Sequence, residues 1–127
     1  MRKVSILKKL ETYLRKSKQE EKEILQKIEV IYNTILKKYI KKNGLRINQF
    51  HLIGDKIVSI VRYEDEDVDI NFYTPFIARR HAWLSFRFDT SGKLVSVVYP
   101  AGSLVPVKLE DLLEGYQCMK GLSTELV

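Results

Sequence analysis

The chain of 127 residues carries a single cysteine, Cys118. One cysteine closes no internal disulfide, so the fold must rest on its apolar core. A reducing compartment, the cytoplasm, is the expected setting. Glycine and proline are scarce, at six and three residues, and none occurs before Gly44. Nothing in the first 43 positions therefore breaks a helix. No apolar run nears the roughly 18 residues of a membrane span, so no transmembrane segment is expected. The apolar run Val4–Leu7 beside the basic start is too short for a secretory signal.

Chemical signatures are equally sparse. There is no glycine pattern that could cradle phosphates and no recognisable nucleophile motif. His51 and His81 are the only histidines, and no two of His51, His81 and Cys118 lie at ligand spacing. No metal, cofactor or catalytic residue is expected, and the chain reads as a protein without enzymatic activity.

What is present describes an ordinary globular chain, 45% hydrophobic and 30% charged, with a length that suits one domain. Its net charge of +6 is unevenly placed. Residues 1–46 hold 14 Lys and Arg against 5 Asp and Glu, hence +9, and residues 47–127 hold 8 against 11, hence −3. A basic half joined to a mildly acidic half suits a polyanion partner or attraction between copies.

The strongest local signal is Glu20–Lys42. Ile24, Ile28, Ile31, Ile35 and Tyr39 recur at steps of three and four, and Leu25, Tyr32 and Leu36 widen the stripe. Before it, Val4, Leu7, Leu10 and Leu14 fall on one face of a first helix, with Ile6 and Tyr13 at its border. Ser17 followed by Glu20 forms a capping-box pattern, so two helices meeting near Ser17 are expected. The rival is one helix to about Lys42, about 60 Å long at 1.5 Å per residue and projecting as an arm.

After Asn43-Gly44 the apolar period changes from 3.6 to 2. Strands are expected at Arg46–Ile53, Lys56–Tyr63, Val68–Phe76, His81–Asp89 and Leu94–Tyr99. Gly54-Asp55, the acidic run Glu64–Asp67 and Thr90–Lys93 supply the turns. Val68, Ile70 and Phe72 alternate with Asp69, Asn71 and Tyr73. Ala82, Leu84, Phe86 and Phe88 alternate with His81, Trp83, Ser85 and Arg87. Leu109–Lys120 reads as a last short helix closed by Gly121, with Leu122–Val127 a loose tail. The expected class is α+β: two N-terminal helices (1–43) packed on a roughly five-stranded antiparallel meander (45–99), then a C-terminal helix (107–121). The cover for the sheet is the apolar face of Glu20–Lys42.

Two functional expectations follow. The first is association, as a homodimer or with a protein partner, through the N-terminal helical stripe of Val4, Leu7, Leu10 and Leu14, which one small sheet does not fully cover. The second is binding of DNA or RNA by the basic half, helped by a face of Tyr73, Arg79, Arg80, His81, Trp83 and Arg87. There rings could stack on bases while cations meet phosphates. The acids Glu64, Asp65, Glu66, Asp67 and Asp69 read as a solvated tip. They lack the glycine and terminal glutamate of a calcium loop.

Overall fold

The structure, a computed structural model, describes residues 2–43, 49–74, 82–100, 102 and 105–126. It opens with one helical rod: α1 (Arg2–Ile31), a π-helical turn (Tyr32–Leu36) and α2 (Lys37–Asn43). The rod does not break at Ser17. Lys, Gln and Glu are all good helix formers, and the chain there has no Gly or Pro to make it leave the helix. The cap pattern is thus overridden, and Gln19 instead bonds Glu23 one turn on. The two helices expected on either side of Ser17 are one.

Five strands follow in sequence order as an antiparallel meander: β1 (Gln49–Ile53), β2 (Lys56–Arg62), β3 (Val68–Tyr73), β4 (Leu84–Phe88) and β5 (Leu94–Val98). The α+β class and the antiparallel sheet are as the sequence indicates. Gly54 makes the β1–β2 turn with positive φ. The turn after β4 depends on Gly92, at φ 88°, which packs so closely on the rod that an added Cβ would lie 1.8 Å from Asn33 Oδ1. Asn33 Nδ2 donates to the Gly92 carbonyl, fixing rod to sheet.

The last helix, α3 (Leu109–Glu125), runs past Gly121. Gly121 is not a cap, because its missing side chain admits Ile53, whose Cγ2 would lie 2.5 Å from a Cβ there. Leu122 and Ser123 are buried, so this stretch is packed helix where a loose tail was expected. The start of α3 is tied down by Tyr99. Its hydroxyl accepts from the Lys108 amide and donates to Asp111.

The rod and α3 cover the same face of the sheet. Val58, Ile60, Val68, Ile70, Phe72, Leu84, Phe86 and Phe88 point into this core. From the rod come Ile24, Ile28, Tyr32, Leu36 and Ile40, and from α3 Leu112, Cys118, Met119 and Leu122. Tyr32 stacks on Phe88 with ring centroids 3.9 Å apart. Each large side chain so buried contributes about 1.5–3 kcal/mol.

The buried series on the rod is shifted toward the edge of the expected stripe that Tyr32 and Leu36 form, and it continues to Ile40. Ile31, Ile35 and Tyr39 are only partly buried, and Tyr32, Leu36 and Ile40 lie inside. In an α-helix a step of four residues drifts about 40° off a face, so four steps from Ile24 would carry Ile40 about 160° away. A π-turn holds one extra residue and returns about 100° of that drift. Ile40 therefore still meets the sheet.

Candidate interaction surface

Three surfaces of the described residues bear on function. The first is the N-terminal half of α1. No described side chain from residue 6 to residue 23 is buried. Ile6 is 65% exposed, Leu7 58%, Leu10 52% and Tyr13 68%. These four sit at helical spacing on an arm that leaves the body before Ile24. The side chains of Val4 and Leu14, expected on the same stripe, lie outside the described residues. Residues 2–18 carry seven Lys and Arg against one Glu, so the arm is apolar on one side and strongly basic around it.

The second surface is the far side of the sheet, on which the described residues place no further layer. Cross-strand register puts Phe50, Ser59, Asn71, Ser85 and Val98 in one row and Leu52, Ile57 and Tyr73 in the next. Phe50 is 61% exposed and Leu52 67%, on edge strand β1. The Phe50 and Tyr73 rings lie 6.4 Å apart, within the range of aromatic pairing. Ser85 Oγ donates to Asn71 Oδ1 at the middle of the face. Further along, Arg87 Nε and Nη2 donate to Asp69 at 2.7 and 3.0 Å, and the guanidinium lies 4.8 Å from the Tyr63 ring. The Tyr63 hydroxyl also donates to Asp69, which with burial raises its pKa.

The third is a cleft of about 330 Å³ where the π-turn meets the β2–β3 and β4–β5 turns. Lys37, Lys41 and Arg62 line it beside Glu66 and Asp89. Arg62 pairs with Glu66 at 3.1 Å. Asp89 is held below the usual carboxylate range, first by the Ser91 hydroxyl and then by the Lys93 amide. Charges of both signs and no nucleophile–base pair among the lining residues give this cleft no evident reaction to perform.

The residues expected to form a nucleic-acid face are not all in view. Arg79, Arg80 and His81 lie outside the described residues. Arg87 and Tyr73 share the open face of the sheet. Trp83 sits at the bend before β4, partly packed on the core, with Lys56 Nζ 5.6 Å from its ring. That amine is itself buried and bonded to Glu114 of α3 at 2.8 Å, so Trp83 and Arg87 have different surroundings.

Sequence reasoning missed Phe50 and Leu52. Alternation along QFHLI would send Phe50 and Leu52 inward and His51 outward. The two-residue turn at Gly54-Asp55 instead pairs His51 with Val58 and Phe50 with Ser59, which puts His51 on the core side. The Gly-Asp turn and the core-like Val58 and Ile60 were the signals that could have revealed it.

Among the described residues no group of three or more His, Cys, Asp or Glu could hold a metal, and the acidic turn's carboxylates do not converge. Asp65 accepts from the Asp67 amide, a local turn contact. The Cys118 thiol is pushed up to about 11 by burial, which keeps it a packing group near neutral pH. No described helix is long and apolar enough to cross a membrane. Compared with known proteins, the chain matches no family model, no curated protein and no solved structure.

Proposed function

We propose that this chain is a non-enzymatic interaction protein that associates through its N-terminal arm, as a homodimer or with a protein partner. The observation that carries this reading is the simultaneous exposure of Ile6, Leu7, Leu10 and Tyr13 on a helix free of the body. A helix held by no tertiary contact is marginal in water, since nucleation is costly and propagation gains little. An amphipathic arm of this kind is a stable structure only when its apolar stripe is covered. A reduced, buried thiol suits the cytoplasm as its setting.

Light scattering between about 1 and 100 µM tests this, the range in which a micromolar complex assembles. The expected result is a mass above the monomer that Leu7→Gln with Leu10→Gln abolishes. Glutamine keeps helix propensity while removing the apolar stripe. A monomer at low and moderate salt, with no partner recovered through the arm, would refute the reading.

A second reading, DNA or RNA binding, draws on the arm's seven cations and on Lys37 and Lys41 beside the cleft. It requires affinity that falls steeply with salt. Absence of retention on nucleic acid at about 50 mM salt removes it.

A further inference from the structure

The arm exposes an apolar stripe, and the far side of the sheet exposes Phe50 and Leu52 on β1 and Val98 on β5, about a polar middle of Ser59, Asn71 and Ser85 in which the two serines are buried. We infer that the arm of one copy lies across the open sheet face of a second copy, in a reciprocal pair; the inference rests on the arm-docking reading above.

Three observations select this occupant. First, the arm cannot reach its own open face. α1 is unbroken from Arg2 to Ile31, and its second half lies on the core side of the sheet with Ile24 and Ile28 buried. A continuous helix does not turn round a sheet edge, so the arm that meets Phe50 and Leu52 is that of another copy.

Second, the charges match. Residues 2–18 carry seven cations against one Glu, whereas residues 47–127 are net −3. Carboxylates stand at both ends of the β2 strand: Asp55 in one turn, Glu64, Asp65 and Glu66 in the other, all exposed. A basic helix laid across the strands would have acids on either flank. Two such arms paired with each other would instead bring like charge against like charge.

Third, the sizes fit. Residues 6–23 span about 27 Å as helix. Five strands about 4.8 Å apart place the outer strand axes about 19 Å from each other, so the arm crosses the whole sheet. Its footprint, about 27 by 10 Å, covers about 540 Å² counting both surfaces. A reciprocal pair makes that contact twice and approaches the roughly 1,200 Å² at which specific complexes begin. Ile6, Leu7, Leu10 and Tyr13, which span about 10 Å, would then lie on Phe50, Leu52 and Tyr73 across β1 to β3, adding a third layer to that edge of the fold.

Mixing of two full-length variants tests this. The arm variant is Leu7→Gln with Leu10→Gln, and the face variant is Phe50→Thr with Leu52→Thr. Both change exposed side chains and retain the local propensity, and near-ultraviolet circular dichroism confirms that each folds. The expected result is a dimer for the wild type, a monomer for either variant alone, and for their equimolar mixture a weaker heterodimer that appears only toward about 100 µM, because one of the two contacts is restored. In the mixture an intact arm on one copy meets an intact face on the other. A face variant that stays dimeric while the arm variant is monomeric overturns this inference and leaves arm docking standing. An arm variant that stays dimeric overturns both. A wild-type monomer whose arm binds anionic vesicles or single-stranded DNA also overturns the inference, in favour of a different partner.

Discussion

Three small residues decide how closely the layers approach. Gly115 of α3 faces the sheet, where an added Cβ would lie 2.6 Å from Phe86 Cζ and 2.9 Å from Leu84 Cδ2. Overpacking of this kind costs about 1–3 kcal/mol, and the helix propensity gained by alanine offsets only about 1. Gly115→Ala should therefore lower the urea midpoint, whereas a gain in stability would show that α3 sits further from the sheet. Gly121 plays the same part against Ile53. Gly92 does so against Asn33, with the added demand of positive φ. None of these roles is legible from sequence, because a helical glycine reads as a cap or a weak point until its neighbour is known.

His51 poses the opposite case, a polar group in an apolar place. Its Nε2 is buried without a partner, and its Nδ1 is 3.7 Å from Glu125, too far for a hydrogen bond. An unmet buried donor or acceptor costs about 1–3 kcal/mol. His51→Leu should be neutral or stabilising by urea titration. A loss of more than about 1 kcal/mol would mean that the imidazole has an essential partner.

At the level of the element, the rod is the part the sequence describes best and also misplaces. Its freedom from breakers and its role as cover for the sheet are read from Glu20–Lys42, but its length is not, because a break near Ser17 was expected. The rotation is not read either, since Ile31, Ile35 and Tyr39 match an ideal period better than Tyr32, Leu36 and Ile40 do. Periodicity assumes a uniform helix, and a single π-turn defeats it. The extra residue has a direct consequence. Deleting Thr34, which is exposed within the π-turn, leaves Tyr32 and Leu36 three apart and converts the turn to plain α-helix. The variant should fold with an unchanged helical signal by circular dichroism. Unfolding would show that the π-turn is needed for something other than register.

The sheet was legible in number, order and turns, because Gly54-Asp55 and Thr90–Lys93 punctuate clean alternation. The candidate site was legible in half. Leu7 and Leu10, placed on one stripe by their spacing, are exposed. Phe50 and Leu52 escaped, because which face of an edge strand is covered depends on register with its neighbour.

For the whole molecule, the titrating core groups share one sign. Burial pushes Tyr32 up to about 12 and Cys118 up to about 11. Lys56 is raised as well: burial works against its charge, but its hydrogen bonds to Glu114 and Asp55 more than offset that. Each group holds its proton more tightly folded than unfolded. Their stabilisation is complete below the unfolded values of 9.0 for Cys118, 10.0 for Tyr32 and 10.5 for Lys56, and is lost as pH rises through the folded ones. Thermal stability should fall between pH 9 and 12, by about 2 kcal/mol for each of the two buried groups, Tyr32 and Cys118. Cys118→Ala should flatten the part of that fall between about pH 9 and 11. A fall of the same steepness in the variant would remove the thiol from the account.

The central claim concerns the arm, and amide hydrogen exchange at two concentrations reaches it most directly. An uncovered arm frays, so its amides exchange freely, while amides of β2 to β4 are protected by the core. If the arm docks, residues 6–18 should gain protection as the protein is raised from about 1 to 200 µM, with the sheet core unchanged. Identical, unprotected exchange of those residues at both concentrations would contradict it.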